Sequence, residues 1–532
     1  MEQETTGRSR WVSALYILAI ATLLGVMASP STRRVAREHT AFMLPVSQPP
    51  LEPVRRLVGS SAAFGVPSQL TSFAAAHPDD DALQVALAVA TVHRPGESTF
   101  RPWVRNLARL LERYPRSATV RSAILRYTEG LSDATAGEWA VFDRAAAEGE
   151  RLEPDNAFFP LSAAQGFDAR GLEAESRSAL LRAGKCSRWD DHIRDEAEGT
   201  WRLNEMGSST PDGLNRTASA GAMLLPHYAK LRELAKHAMK GAFAADAAGR
   251  TEESLAIRHA LMRIGSLMRS QATIGIGNMV GMALEAQAAS TVPTDETAPE
   301  KLDARLSRYA AYLTSAGHPE EIAFARSEAA AGARVRAIFP QEMEWPGMRL
   351  MQDFLRTWVL ALALLAGALF TLLSGFVTAL LARRGWADTD RAICLPERVG
   401  TTLVAALIML VPAFWMAARL TEPARWTQGI FNPITDIGTV LPWTVLALLA
   451  VPILLKLVLI VTALVRRRPL TQAVVRGFQH YAVPLAATMV LGYGGVLAAL
   501  AHMDHKMAAD ITAQVQHEGR YYAHLQGKQW PE

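Results

Sequence analysis

Four stretches in the last third of the chain lack charged residues over lengths that can cross a bilayer, and no other feature constrains the fold as much. A helix needs roughly 20 apolar residues to span a hydrocarbon core of about 30 Å. Between Arg356 and Arg383 lie 26 uncharged residues, between Arg398 and Arg419 lie 20, and between Arg476 and Asp504 lie 27. Between Asp436 and Lys456 lie 19, with nine more before Arg466. The spacing predicts membrane helices over 357–382, 399–418, 437–465 and 477–503. Lack of charge alone is insufficient: residues 57–78 are also uncharged, but Gly59, Gly65, Pro67 and several serines make that stretch too polar and too broken to cross. Near the start, Trp11 to Met27 is nearly all apolar and follows Arg8 and Arg10. That outline fits an uncleaved anchor over 11–28 or a cleaved signal with Val26 and Ala28 before the cut, and the length of the run favours the anchor.

Arginine counts orient the spans, because short cytoplasmic loops collect Lys and Arg. Residues 383–398 carry Arg383, Arg384, Arg391 and Arg398, and residues 466–476 carry Arg466, Arg467, Arg468 and Arg476. The loop between, 419–436, carries only Arg419 and Arg425. Placing the two dense loops inside puts residues 1–10 in the cytoplasm. Residues 29–356 and the tail 504–532 are then extracytoplasmic. Arg33, Arg34 and Arg37 argue the other way and are outvoted by the later spans. A soluble part rich in Ala and Arg suggests a GC-rich bacterial genome, so the expected location is a bacterial inner membrane. The net charge of +4 is too diffuse for a nucleic-acid footprint, so the expected partners are the lipid bilayer and proteins or peptides.

Residues 29–75 read as a linker, with Pro49, Pro50 and Pro53 close together. From 76 to 345 the apolar spacing is helical. Trp103, Leu107, Leu110, Leu111 and Tyr114 fall on one helix face, as do Val120, Ile124 and Tyr127. Leu224, Tyr228, Leu231, Ala235 and Ala238 form another stripe, and Leu302, Leu306, Tyr309 and Leu313 a fourth. No run of period two competes with them, so the fold class is all-α, a soluble helical domain beside a bundle of membrane helices. Helix starts are marked by Asp79–Asp81, by Ser117 and by Asp155, each able to accept from orphan backbone amides. Thr135 and Glu138 have capping-box spacing, and Pro319, Glu320 and Glu321 make a favourable first turn.

Pro78, Pro115 and Pro154 stand 37 and 39 residues apart, each followed by an apolar helix and then by a second one, near Trp103, Trp139 and Leu172–Leu181. Two-helix units of this length, together with Leu152-Glu153-Pro154-Asp155-Asn156-Ala157, resemble tetratricopeptide repeats over about 80–184. The period runs a few residues long and the family's Trp, Gly and Tyr markers are absent. The resemblance implies stacked helix pairs whose concave face binds peptides or proteins.

Catalytic motifs fail one after another. Gly184-Lys185-Cys186 lacks the upstream glycine and the hydroxyl of a phosphate loop, and no G-x-S-x-G elbow or zinc-spaced cysteine pair occurs. His517-Glu518 opens like a zincin motif, but the next histidine, His524, is too far along. His502 and His505, flanking Asp504, are a weak candidate for two metal ligands on one helix face, and a polar collar at the headgroup boundary suits them better, with Met503 and Met507 facing inward. Lys456 interrupts the 437–465 span. It either snorkels to the cytoplasmic interface or is an intramembrane functional residue. Gly492-Tyr493-Gly494-Gly495 permits close helix packing. Cys186 and Cys394 fall on opposite sides of the bilayer, so no disulfide joins them. The expectation is a non-enzymatic envelope protein without cofactor or metal that presents a helical-repeat domain to protein or peptide partners. The alternative is a permease-type transport component.

Overall fold

The computed structural model describes residues 68–90, 100–131, 133–207, 212–221, 225–292, 302–339, 346–381 and 470–531, with scattered positions in 17–33 and 456–465. Most of the expected anchor 11–28, the span 399–418, most of 437–465 and the loop carrying Cys394 lie outside the described residues. Those residues are helical throughout their regular structure, with no strand, and an isolated parallel bridge joins Asn156 to Arg188. The chain divides into two compact units. One comprises Ser60–Ser208, Ala218–Glu344 and Ala509–Glu532, and the other takes Ser209–Thr217, Trp345–Ala508 and the N-terminal residues.

The first unit opens with α1 (Ser68–Ala76), inside the stretch expected as linker. Three helix pairs follow: α2 (Asp81–Val89) with α3 (Arg101–Arg113), α4 (Ala118–Glu129) with α5 (Ala136–Leu152), and α6 (Phe158–Ala169) with α7 (Glu173–Ala183). These are the pairs the proline spacing anticipates. Asp80 accepts from the Leu83 amide and Ser117 from the Val120 amide, so two of the expected caps hold. Thr135 and Glu138 make both bonds of a capping box. Asp155 does not cap α6. Its carbonyl is taken by the amides of Ser187 and Arg188, and Asn156 Oδ1 receives the Phe158 amide instead. The two-residue bridge to Arg188 claims that turn before the helix begins.

Packing between the pairs is tight. A Cβ on Gly149 would lie 2.1 Å from Phe159 and one on Gly166 would lie 2.3 Å from Phe142, so only glycine lets these rings seat. Trp103 and Tyr127 meet edge to face at 5.1 Å, within one core that runs from Val85 to Ala325. The unit departs from a simple stack at α8 (Ile193–Gly207), which turns back onto α1 and α2, while α10 (Pro226–Ala247) packs on α4 and α6. Repeat stacks contact only their sequence neighbours. Here the first helix of every pair is covered by a later helix, and α4 is buried along its whole length from Thr119. The unit continues with α11 (Thr251–Gln271) and α12 (Gly275–Ala288), a close hairpin, then α13 (Leu302–Ser315) and α14 (Glu321–Arg336).

In the second unit, α15 (Pro346–Leu381) pairs with α16 (Leu470–Gln516). The helix α9 (Asp212–Gly221) begins in this unit and ends in the first. Phe354, Trp358 and Ala361 share a core with Tyr493, Leu497, Leu500 and Met507. A Cβ on Gly492 would lie 3.5 Å from Leu364, an ordinary contact, and one on Gly495 would meet nothing within 4 Å, so these glycines are not needed for close packing on a described neighbour. Leu364 sits at Gly492 while Phe354, ten residues earlier, shares the core of Leu500 and Met507, so the two helices run antiparallel. Beyond this core Leu369, Leu372, Leu373, Phe376, Val377 and Leu380 are exposed along one helix face. Among the described residues one helical stretch, Leu485–Gln516, is long and apolar enough to cross a membrane, and a shorter apolar stretch, Gly367–Val377, lies in α15. The helix α16 stays regular through Pro484 and well past the expected span end at 503. The last helix, α17 (Glu518–Leu525), belongs to the first unit.

Phe142 is fully buried between α5 and α6. Phe142→Ala should lower the unfolding free energy by about 3–5 kcal/mol, read as a lower midpoint in thermal unfolding followed by circular dichroism.

Candidate functional site

Where α8 enters the groove of the helix pairs, a polar seam replaces the apolar core. It centres on Asp190-Asp191-His192, the turn between α7 and α8. His192 has φ of 53°, a left-handed conformation uncommon for any residue other than glycine. Its amide donates to Asp190 Oδ1 at 2.9 Å, its Nδ1 lies 2.9 Å from Asp195 Oδ2, and its Nε2 lies 3.2 Å from Glu153 Oε2. Burial opposes charge on the ring, but the hydrogen bonds to Asp195 and Glu153 outweigh it and hold the imidazole at about 10. Burial likewise pushes Glu153 up, and the hydrogen bonds from His192 and Asn156 prevail, leaving its carboxyl at about 2. His192 is therefore an imidazolium clamped between carboxylates. Asn156, fully buried, completes the turn: it donates to Glu153 Oε2 and to the Asp190 carbonyl and accepts from the Asp190 amide. Arg188 bridges Glu153 at 2.7 Å and Asp190 at 3.1 Å.

A second layer lies deeper. Arg126 of α4, 1 % exposed, donates to Glu196 of α8 at 2.6 Å, and Tyr127 donates to the other oxygen of the same carboxylate. Ser122 donates to the Asp191 carbonyl, and Thr119 donates to Asp195 at 3.1 Å. The Asp191 carboxylate accepts from Tyr228 of α10 at 2.6 Å, with His227 at 3.7 Å. Burial lowers His227, whose two ring nitrogens have no hydrogen-bond partner. Burial also pushes Glu129, at the end of α4, well above the usual carboxylate range. For Glu129 burial outweighs the pull of Arg126, and for His227 it outweighs the pull of Asp191.

The chemistry this arrangement supports is positional. Its acids and bases are spent on one another, and among the described residues no group of three or more His, Cys, Asp or Glu side chains is disposed to hold a metal ion. A separate cavity between α11, α12, α13 and α14, of about 20 Å³, has room for a single water and is lined by Met262, Met282, Glu285 and Glu328 among others. Burial and the neighbouring Glu328 carboxylate push Glu285 up to about 8 against the pull of Arg269. Cys186 is buried in the main core with Ala183 and Trp189, and burial raises its thiol.

The residues singled out from sequence are not brought together. His502 and His505 are exposed on α16, while Asp504 between them is buried and accepts from the amides of Asp212 at 3.1 Å and Gly213 at 2.8 Å. Asp504 thus caps α9, Met507 is buried and Met503 is half-buried. Lys456 is a half-buried helical residue followed by exposed Leu457, Val461, Leu464 and Val465. Sequence reasoning missed the seam. Its one signal was a histidine flanked by Asp190, Asp191 and Asp195 in an interhelix turn, beside an arginine on an otherwise apolar face. Comparison with protein-family models, curated proteins and solved structures finds no match.

The pH dependence follows from the raised His192 value. An unfolded histidine titrates near 6.5, so the seam's contribution is complete below that pH and is lost as pH rises through about 10. The gap in thermal midpoint between the parent chain and His192→Gln should therefore be wider at pH 6 than at pH 9. A gap that does not narrow would show that His192 is not charged in the fold.

Proposed function

We propose that this chain is a multi-pass membrane protein of the bacterial envelope that holds a tetratricopeptide-like helical domain outside the membrane to recognise protein or peptide partners. The observation that carries the reading is the sharing of one folded unit by α1–α8, α10–α14 and the tail after Ala508. Two segments that pack in one core lie on one side of a membrane. The intervening residues 345–508 must then cross it an even number of times or not at all. A lone crossing by α16 would separate tail from domain, whereas the antiparallel partner α15 supplies a return, and the four charge-free stretches supply four crossings. The exposed apolar face from Leu369 to Leu380 suits lipid or further spans. The arginine-rich loops support placing the domain outside the cytoplasm.

The inner faces of the helix pairs are occupied by the chain's own α8 and α10, so recognition of an outside partner falls to other surfaces, such as the exposed side of α3 and α5. Two measurements test this. Alkaline phosphatase inserted in 293–300 and fused after Glu532 should be active at both positions; opposite activities would defeat the even count. A photo-crosslinking residue in place of Arg109 or Arg144, both exposed, should give a defined adduct in intact cells. Its absence at both positions would remove the recognition role from this face.

The permease reading rests on Lys456, half-buried in an otherwise apolar helical run. Lys456→Leu should abolish transport activity if that reading holds, and unchanged growth and expression would dismiss it.

A further inference from the structure

The tail that emerges from α16 is built into the first unit by bonds to three helix ends. The C-terminal carbonyls of α11 have no partners within the helix, and neither do the first amides of α12. The Ser270 carbonyl accepts from His517 Nε2 at 2.9 Å and from Trp530 Nε1 at 3.1 Å. The Thr273 carbonyl accepts the Glu518 amide at 2.7 Å. On the other side of the same turn, the Gly275 amide donates to the Glu518 carboxylate, which Gln514 steadies at 3.0 Å. At the end of α14, the Ala337 carbonyl accepts from Lys528 Nζ at 2.8 Å and the Ile338 carbonyl from Gln526 at 2.6 Å. Charge follows the helix dipoles throughout, a carboxylate at the start of α12 and an ammonium at the end of α14. Phe339 lies between Tyr522 at 5.8 Å and Trp530 at 6.0 Å. A Cβ on Gly519 would come within 2.2 Å of the Trp530 ring, so the indole fits only over glycine.

We propose that the α11–α12 turn together with the end of α14 forms a recognition site for a short peptide segment, and that its resident occupant is the chain's own His517–Trp530, bound within the same molecule. The inference rests on the peptide-recognition reading above, and the two fail separately, because loss of crosslinks on α3 and α5 says nothing about this face. The segment is separable by construction. It follows a break in the helix at His517, and most of its bonds run from its side chains to main-chain groups of the domain. The end of α16 keeps its own anchor, with Ile511 and Val515 packed on Ala197 and Trp201. Removing residues 517–532 therefore vacates the site while leaving the chain tethered beside it.

The test uses the full chain ending at Gln516 and a labelled peptide of residues 517–532. The shortened chain should bind the peptide and the intact chain should not. Trp530→Ala and Glu518→Gln peptides should bind at least about tenfold more weakly, the first through the lost indole packing and its hydrogen bond, the second through a lost charge-assisted hydrogen bond. A folded shortened chain that ignores the peptide, or an intact chain that binds it equally well, would overturn the proposal. So would light scattering that shows the intact chain to be a dimer with exchanged tails. If the shortened chain fails to fold, hydrogen exchange in the intact Trp530→Ala variant decides. Faster exchange confined to 268–277 and 336–339 supports a separable ligand; no change, or faster exchange spreading through 118–183, rules it out.

Discussion

The buried pair between Arg126 of α4 and Glu196 of α8 is the contact on which the helical domain depends. Each partner is almost wholly removed from water, and a lone charge at either position would carry a large desolvation cost. The pair is tolerable because Tyr127 and Ser122 satisfy the remaining donors and acceptors around it. Apolar groups would fill the same groove with less penalty, but they would accept α8 in several rotations about its axis. The two ionic partners, with Asp191 seated on Tyr228 and Ser122, accept one.

That constraint propagates outward. Fixing the start of α8 fixes the Asp190–His192 turn, and the left-handed backbone at His192 is held there by the carboxylates at its two ring nitrogens. With α8 laid back on α2, Gly199 comes within Cβ range of the Ala82 carbonyl, and Arg202 reaches Asp80 at the opening of that helix. The pairs cannot then behave as a spring of independent repeats, because the third pair is tied through α8 to the first. A groove that stacks of this kind commonly leave open is closed by the chain itself.

The second unit follows a different rule. Its helices meet through Trp358, Ala361, Tyr493 and Leu497, and the apolar face beyond Leu369 remains uncovered by described residues. The buried Asp504 carboxylate is spent on the amides that open α9.

Local chemistry was legible in the sequence. The caps at Asp80, Ser117 and Thr135, the stripe through Trp103, Leu107 and Leu111, and the three proline-led pairs all depend on neighbours within a few turns, which periodicity and capping rules report directly. The seam was not legible, because Arg126 and Glu196 are far apart in the chain and each alone looks like a surface charge. The tail was not either: His517 and Glu518 read as a broken catalytic motif, and only packing brought them to Ser270 and Gly275. Sequence by itself determined helix, pairing of neighbours and the stretches fit for a bilayer. Tertiary structure alone decided which helix fills the groove and where residues 517–530 are seated, since both rest on partners that lie from 70 to 260 residues apart.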